Sequence, residues 1–268
     1  MLLSNLHTHS TFCDGKNTPE EIILAAIQKG FSSIGFSGHG YTPYDLRYCM
    51  KDTEAFIAEI LKIKDVYGKE IEIYLGSEED AFSPVARSRF EYIIGSSHYY
   101  YVNGEYLPID SSFGHFQKCY EAFGGDTVKM AETYYESFCS YINKRKPDVI
   151  GHFDLITKFD ELDSPYFSHD PKYREIAKKY LLEAMKSDSI FEVNTGAITR
   201  GYRHTPYPSE ELLHLIRKSG GRIMLSSDSH AAETIDAYFP ETADYLYDLG
   251  FRETYILLGE KFIPCSLK

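Results

Sequence analysis

Two histidines, His7 and His9, follow a short apolar run at residues 2–6 that is readable as a β-strand. On an extended backbone, residues two positions apart point to the same face, so both imidazoles can reach one ion. Imidazole nitrogen is a common ligand of zinc, iron and manganese. Because histidines are also common on protein surfaces, a single pair is a weak signal that gains weight only where it recurs.

The arrangement does recur, because residues of metal-ligand type follow several predicted strands. They are His7, His9, His39, Glu78, His98, His152, Asp228 and His230, with Asp14 in the first such loop. Six of the ten histidines take part, which chance placement explains poorly. The other four are His115, His169, His204 and His214. Three of these are expected to be solvated or structural, and His204, on a strand-end loop, stays open.

Predicted strands and helices alternate about seven times along the chain. After the first strand, the strands are expected at 33–37, 71–75, 92–96, 148–151, 190–194 and 222–226. The helices are expected at 18–30, 52–67, 83–89, 126–144, 172–187 and 209–219, followed by a region broken at Pro240. Thr18 and Glu21 form a capping box at the first helix, and Gly30 ends it.

This alternation predicts parallel strands with helices outside, in a single α/β barrel domain that spans residues 1–268. In such barrels the chemistry lies at the carboxyl ends of the strands, which is where the candidate ligands fall. Two irregular stretches, at about 99–125 and at 153–171, interrupt the alternation of strands and helices. The first is rich in Tyr, Phe, Gly and Pro and is interpreted as an insertion above the barrel mouth.

Composition narrows the class of protein. A chain of 268 residues with 43% hydrophobic and 25% charged residues is typical of a soluble globular protein, and no apolar stretch approaches the roughly 18 residues of a membrane span. The start of the chain has no signal-peptide pattern. Five scattered cysteines suit reduced thiols in the cytoplasm. The net charge of −12 argues against nucleic acid as a partner.

As an ordered set, the motifs resemble those of the PHP superfamily (polymerase and histidinol phosphatase). The motifs are His7-Thr8-His9, Gly38-His39, Gly76-Ser77-Glu78, Ser97-His98, Gly151-His152 and Ser227-Asp228-Ser229-His230. They extend from residue 7 to residue 230, so the resemblance covers essentially the whole chain. The chain length and the stretch at 151–159 are most similar to the monofunctional histidinol-phosphate phosphatases of the superfamily.

The resemblance implies a distorted (β/α)7 barrel, similar to a TIM barrel, with a trinuclear centre of divalent zinc, manganese or iron. By position, the first ion would be held by His7, His9, Glu78 and Asp228. Glu78 would bridge to a second ion held by His98 and His152, and Asp14, His39 and His230 would hold the third. Many members have a histidine near the position of Asp14, and this chain has none there. Glu79 and Asp80 compete with Glu78, and the Gly-x-Glu pattern favours Glu78.

Such a ligand set suits hydrolysis of a phosphate ester, through in-line attack by a metal-bridging hydroxide. Asp228 is a candidate for the acid that protonates the leaving oxygen. Arg200, on a loop after a strand, and Lys158 are the expected phosphate-binding cations, and Arg203 is a weaker candidate. The aromatic side chains at 99–125 either stack on an imidazole-bearing substrate or only pack the insertion onto the barrel.

The leading hypothesis is therefore a phosphomonoesterase that hydrolyses L-histidinol phosphate in histidine biosynthesis. One alternative is a nuclease or phosphodiesterase, since related domains act on nucleic acids, although the acidic net charge counts against it. Another is a phosphatase of a different small phosphomonoester. A non-catalytic metal-binding or polymerase-associated scaffold is disfavoured because no ligand position is lost. No membrane association is expected, and the oligomeric state stays open.

Overall fold

The structure is a computed structural model that describes residues 2–162 and 165–268. Its strands are β1 (Ser4–Asn5), β2 (Ser33–Phe36), β3 (Glu72–Asp80), β4 (Tyr92–Ser96), β5 (Tyr99–Val102), β6 (Glu105–Pro108), β7 (Val149–Ile150), β8 (Ile190–Asn194), β9 (Ile223–Ser226), β10 (Glu253–Leu258) and β11 (Lys261–Ser266). Its α-helices are α1 (Pro19–Gln28), α2 (Thr53–Tyr67), α3 (Phe113–Ala122), α4 (Thr127–Arg145), α5 (Pro171–Ala184), α6 (Gly196–Thr199), α7 (Glu210–Lys218) and α8 (Phe239–Asp248).

Seven strands form one parallel sheet in the order β1-β2-β3-β4-β7-β8-β9. The first and last strands of this sheet are joined just beyond their carboxyl ends. There, the backbone N–H of His9 donates to the carbonyl of Ser229 at 2.8 Å, and the N–H of Ser229 donates to the carbonyl of His7 at 3.1 Å. The sheet is therefore a nearly closed barrel of a single domain, which confirms the expected distorted (β/α)7 architecture.

A small apolar cluster fills the inside of the barrel. Its members are Leu6, Tyr74, Tyr92, Ile94, Val149, Ile190, Met224 and Leu257. The Tyr92 hydroxyl donates to the Leu6 carbonyl across the barrel at 2.5 Å. A Cβ at Gly76 would lie 2.2 Å from the Tyr92 ring, so the glycine of the Gly76-Ser77-Glu78 motif makes room for this side chain. A larger core lies between the sheet and the helices.

The C-terminal hairpin of β10 and β11 contacts the amino-terminal end of the barrel. The N–H of Gly259 donates to Glu72, the first residue of β3, and the Thr254 hydroxyl accepts from the N–H of Leu225. The opposite end, where the strands finish, stays free for the candidate ligands. Among the described residues, no helix combines the length and the apolar composition that crossing a bilayer requires.

Most predicted elements form where the sequence places them, and local caps explain why. The capping box of Thr18 and Glu21 is present at α1, and the side chains of Asp52 and Asp126 cap α2 and α4. The prediction of a break at Pro240 is wrong, because Pro240 lies in the first turn of α8. A proline is tolerated there since the first turn needs no backbone N–H.

Two other predictions around β3 are wrong. The strand does not stop at residue 75 but continues to Asp80, because residues 76–80 pair with β4 from Gly76–Tyr92 to Asp80–Ser96. The helix expected at 83–89 is only a short turn at Arg87–Arg89. The N–H of Val85 donates to Glu79 and its carbonyl accepts from Arg145, which holds this segment away from a helical path.

The aromatic-rich segment at 99–125 forms the antiparallel hairpin of β5 and β6, followed by α3. It begins directly after His98 and contributes Tyr99, Pro108, Asp110 and Ser111 to the wall of the cavity described below. That it is an insertion relative to other barrels stays a prediction. The second irregular stretch, 153–171, contains a short turn at Leu155–Thr157, and its residues 163–164 lie outside the described part of the chain.

Candidate metal centre

Glu78 lies at the centre of the candidate ligands, on the extended end of β3. One of its carboxylate oxygens, Oε2, is 2.7 Å from His39 Nδ1, 3.4 Å from His7 Nε2 and 3.7 Å from His9 Nε2. The side chain of Glu78 is 1% exposed, so these contacts are shielded from water. Three imidazoles from the ends of two neighbouring strands thus converge on one oxygen.

The other oxygen of Glu78 is shared by a second pair of histidines. Oε1 is 3.0 Å from His152 Nε2, at the end of β7, and 3.3 Å from His98 Nε2, at the end of β4. A carboxylate with histidines on each of its two oxygens has the arrangement needed to bridge two ions. The family resemblance implies such a bridging role for Glu78.

Asp228 closes the side of the centre next to β9. Its Oδ1 atom is 3.1 Å from His9 Nε2 and 3.6 Å from His7 Nε2. The residue adopts a left-handed backbone conformation with φ of 46°. Such a conformation is uncommon for a residue with a side chain and is often found at functional sites.

The third group of ligands lies nearer to solvent. Asp14 Oδ2 is 3.3 Å from His230 Nε2, and Asp14 Oδ1 is 3.7 Å from both His39 Nε2 and His9 Nδ1. The rings of His9 and His230 stack with centroids 4.1 Å apart. Asp14 therefore joins the cluster although it lies five residues after the first strand-end pair.

Three overlapping sets of ligand atoms lie within 4.8 Å of one another. They are His9, Asp14, His39 and His230; His7, His9 and Glu78; and His39, Glu78 and His98. The structure thus brings all nine expected ligands to one end of the barrel. It differs from the sequence-based assignment in detail, because His9 also joins the Asp14 group and His39 also joins the Glu78 group.

Several buried atoms of this cluster have no hydrogen-bond partner among the described residues. They are His7 Nε2, His9 Nε2, Glu78 Oε2, His98 Nδ1 and His152 Nδ1. Buried polar atoms are nearly always bonded, and His7 Nε2, His9 Nε2 and Glu78 Oε2 face one another, so these three atoms indicate a missing partner. A divalent ion that accepts nitrogen and oxygen ligands fits this donor set.

Burial and neighbouring charges set the protonation of the ligands. Burial alone would raise the pKa of Glu78, but His39, His7 and His98 hold it well below its usual range. Burial, together with His230 and His39, lowers the pKa of His9 to about 3, so its ring is neutral at physiological pH. An ionised carboxylate and a neutral imidazole are the forms that bind metal.

Sequence reasoning missed Glu192, which lies inside the barrel on β8. Its Oε1 atom is 2.5 Å from His7 Nδ1, and its Oε2 atom accepts from the backbone N–H of His152 at 2.7 Å. Ser226 Oγ also donates to Oε1 at 2.5 Å. Because a carboxylate only accepts, Nδ1 of His7 carries the hydrogen and Nε2 is left to bind an ion. A charged residue in the buried strand Ile190–Asn194 was the available signal.

Glu79, the alternative to Glu78, faces away from the cluster. Its carboxylate accepts two hydrogen bonds from Arg145 at 2.7 Å and one from the Tyr141 hydroxyl at 2.7 Å. Asp80, the other alternative, accepts from Tyr44 and from the N–H of His98. Glu79 is thus satisfied away from the cluster, and Asp80 contacts one candidate ligand, His98 Nδ1 at 3.4 Å, whereas Glu78 lies among five histidines.

A cavity of about 410 Å³ opens above the candidate ligands. Both expected phosphate-binding cations line it. Arg200 donates to Asp228 Oδ2 at 2.8 Å and to the Asp228 carbonyl at 3.0 Å. Lys158 donates to the carbonyl of Asp110 at 2.7 Å. Arg203 is not on the cavity wall, since its guanidinium donates to Thr157 beneath the rim.

Asp228 is held in its ionised form. Burial raises the pKa of its carboxyl, but Arg200 and His7 outweigh this effect and hold that pKa well below its usual range. This state suits a metal ligand better than a proton donor. The four remaining histidines do not reach the cavity wall, and His204 is an exposed side chain that contacts Glu161.

Phosphatases of fungi and bacteria are similar in sequence to this chain. A probable histidinol-phosphatase of Schizosaccharomyces pombe is 29% identical, over 91% of this chain and 86% of the relative. A histidinol-phosphatase of Bacillus subtilis is 25% identical, over 84% of this chain and 92% of the relative. The histidinol phosphate phosphatase of Lactococcus lactis, solved with zinc, L-histidinol and phosphate, has a TM-score of 0.73 at 19% identity. That likeness covers 97% of this chain and 98% of the other, and it shows a shared fold. Because the family model of the PHP domain matches residues 5–196, this chain belongs to the PHP domain family.

Proposed function

We propose that this protein is a metal-dependent phosphomonoesterase that hydrolyses L-histidinol phosphate to L-histidinol and phosphate, a reaction of histidine biosynthesis. The observation that carries the proposal is the convergence of histidines on both oxygens of Glu78, directly below a cavity lined by Arg200 and Lys158. The names of the relatives from fission yeast and Bacillus subtilis support the choice of substrate.

The nine clustered side chains would hold three divalent ions, of zinc, manganese or iron. Nine ligands exceed what one tetrahedral or octahedral ion uses, and their overlapping sets support sharing through Glu78. When bound, such ions would lower the pKa of water and stabilise negative charge on the phosphoryl oxygens. Zinc in the Lactococcus lactis protein makes it the first ion to test.

The residues of the chain itself would orient the substrate. Arg200 and Lys158 lie on the cavity wall, and their N–H groups would donate to the phosphate oxygens. Glu192 would keep the His7 ring in the orientation that presents Nε2. Because Arg200 holds Asp228 ionised, Asp228 would accept a proton from the attacking water and pass it to the leaving oxygen.

A small phosphomonoester is the favoured substrate over nucleic acid. The cavity volume of about 410 Å³ is of the size that holds a small ligand, and the net charge of −12 disfavours a polyanion. A cytoplasmic location accompanies the proposal, supported by the five free cysteines. A phosphodiesterase or a phosphatase of another small ester remains the alternative.

Phosphate release distinguishes these functions. Purified protein supplied with zinc or manganese should hydrolyse L-histidinol phosphate well ahead of a phosphodiester and of an unrelated small phosphomonoester. Elemental analysis of gently purified protein should find more than one equivalent of metal per chain, and chelation should abolish activity. Preferred cleavage of the diester, or full activity after the metal is removed, would contradict the proposed function.

A matched pair of variants ties activity to the cluster. His98→Gln removes a nitrogen 3.3 Å from Glu78, whereas His214→Gln changes an exposed histidine on α7. We expect the first to lose both bound metal and phosphate release and the second to retain both. Equal behaviour of the two variants would show that the cluster is not the active centre.

A further inference from the structure

Asp110 is the carboxylate on the cavity wall that stands apart from the histidines. The other lining carboxylates, Asp14, Glu78 and Asp228, each lie within 3.3 Å of a histidine nitrogen. Within the described part of the chain, the ion pair of Asp110 is with Lys158 alone. The candidate metal cluster therefore gives Asp110 no role.

The pairing with Lys158 leaves much of the Asp110 carboxylate unused. Lys158 Nζ lies 2.7 Å from the Asp110 backbone carbonyl and 3.2 Å from Oδ2, so the shorter bond goes to the backbone. An ionised carboxylate can accept about four hydrogen bonds. The Asp110 side chain is 22% exposed and lines the cavity, so its free capacity is available to a ligand there.

The charge of Asp110 also acts against a ligand that is purely anionic. Burial alone would raise its pKa, but Lys158, His98 and His152 lower it overall, so the carboxyl is ionised. A phosphate that draws on Lys158 and Arg200 would lie near this negative charge and be repelled by it. A ligand with its own cation would replace the repulsion by attraction.

We propose that Asp110 binds the primary ammonium group of the substrate and thereby selects phosphate monoesters that carry a cationic amine. The inference rests on the proposed phosphatase function and adds a subsite to it. The ammonium donates to the Asp110 carboxylate. Because it then balances the charge of Asp110, the Lys158 ammonium group is available to the phosphate. The same carboxylate thus favours the amine-bearing ester and disfavours esters without an amine.

Asp110→Asn tests the subsite with two substrates that differ only in the amine. The pair is L-histidinol phosphate and imidazolylpropyl phosphate, which lacks the amine and keeps the imidazole. We expect kcat/KM for the first to fall roughly 10- to 100-fold, mainly through KM, because one charge-assisted hydrogen bond is lost. The value for the second should be unchanged or rise. Asp110→Glu should keep part of the preference.

Asp236→Asn is the matched control, because Asp236 forms a partly exposed ion pair with Lys29 at 2.6 Å and does not line the cavity. It should leave both substrates unaffected. Equal losses for both substrates in Asp110→Asn would overturn the proposal and assign Asp110 a structural role. Phenylalaninol phosphate carries the amine but lacks the imidazole ring. If Asp110→Asn lowered kcat/KM for imidazole-bearing esters and not for phenylalaninol phosphate, the proposal would be overturned as well.

Binding of the product separates this inference from the proposed function. Calorimetry with L-histidinol and with imidazolylpropanol requires no turnover. We expect the wild-type protein to bind L-histidinol more tightly, and Asp110→Asn to bind the two alike. If the protein cleaves no phosphate ester but shows this difference, the proposed function fails and the ammonium subsite stands. If it cleaves histidinol phosphate without the difference, only the subsite fails.

Discussion

Glu78 and Glu79 are neighbours on one strand, both buried, and they lie in opposite environments. Glu79 faces the outer layer, where Arg145, Tyr141 and the N–H of Val85 satisfy its carboxylate with protein donors. Glu78 faces the barrel mouth, where it meets His7 Nε2 and His9 Nε2, two nitrogens that form no hydrogen bond among the described residues. Among the described residues, the Glu79 carboxylate has all the donors it needs, whereas Glu78 Oε2 and these two nitrogens lack hydrogen bonds.

The difference shows how a folded chain separates a structural ion pair from a binding site. A buried carboxylate bonded to an arginine is compensated and needs nothing further. A buried carboxylate that faces imidazole nitrogens without hydrogen-bond partners lacks such compensation, and a bound cation would supply it.

Glu78→Gln should disrupt the candidate metal cluster and leave the hydrogen bonds between Glu79 and Arg145 intact. Because the side chain contacts histidines on both oxygens, losing its charge should weaken more than one ion and reduce phosphate release about 10³-fold or more. Metal content should fall in the same preparation, as measured by elemental analysis. A variant that kept its metal and its activity would show that Glu78 is not the central ligand.

Arg200→Ala should separate phosphate binding from metal binding. If its guanidinium donates to a non-bridging phosphate oxygen as proposed, removing it should lower kcat/KM for histidinol phosphate by roughly 10²- to 10³-fold. Metal content should stay the same, because arginine is not a ligand, and inorganic phosphate should inhibit less. Loss of metal would instead mean that Arg200 mainly holds Asp228, and Lys158 would be tested next.

Glu192→Gln changes a residue that contacts the candidate ligand His7 on the side away from Glu78. The amide keeps the size of the side chain but cannot hold the His7 hydrogen as firmly, so metal affinity should fall about 10- to 100-fold. Competition with a chelator measures this without any substrate. Excess metal should restore most of the activity, whereas a variant that merely unfolds would not be rescued.

Glu79→Gln should act on stability rather than on catalysis. Replacing the partner of Arg145 leaves a partly buried guanidinium undercompensated and should cost about 1–3 kcal/mol of unfolding free energy. Denaturant unfolding checks the loss, and activity per folded molecule should change less than about twofold. If this variant lost activity as Glu78→Gln does, the two regions would not be independent.

Much of the barrel and its ligands follows from local signals in the sequence. Apolar runs that end in His39, His98 or His152 mark strand ends, and parallel strands bring their ends together whatever lies between them. The capping residues at Thr18, Asp52 and Asp126 locate helix starts in the same local way. Both kinds of signal depend on residues only a few positions apart.

What sequence reasoning missed depends on distant neighbours. Glu192 is 185 positions from His7, and nothing near it in the chain reveals the contact. Asp110 lies in an irregular segment, where no periodic pattern predicts that it reaches the cavity. The extension of β3 to Asp80 likewise depends on pairing with β4, since strand length is set by the partner rather than by local propensity.

The seam between the first and last barrel strands has a consequence for synthesis of the protein. The side chain of Asn5 donates to Ser227 across 222 positions, and the backbones of His9 and Ser229 join beside it. A chain emerging from the ribosome carries His7 and His9 more than 200 residues before Asp228 is added. Contacts so distant in sequence form late. If these residues bind metal as proposed, full affinity would arise only when the barrel closes.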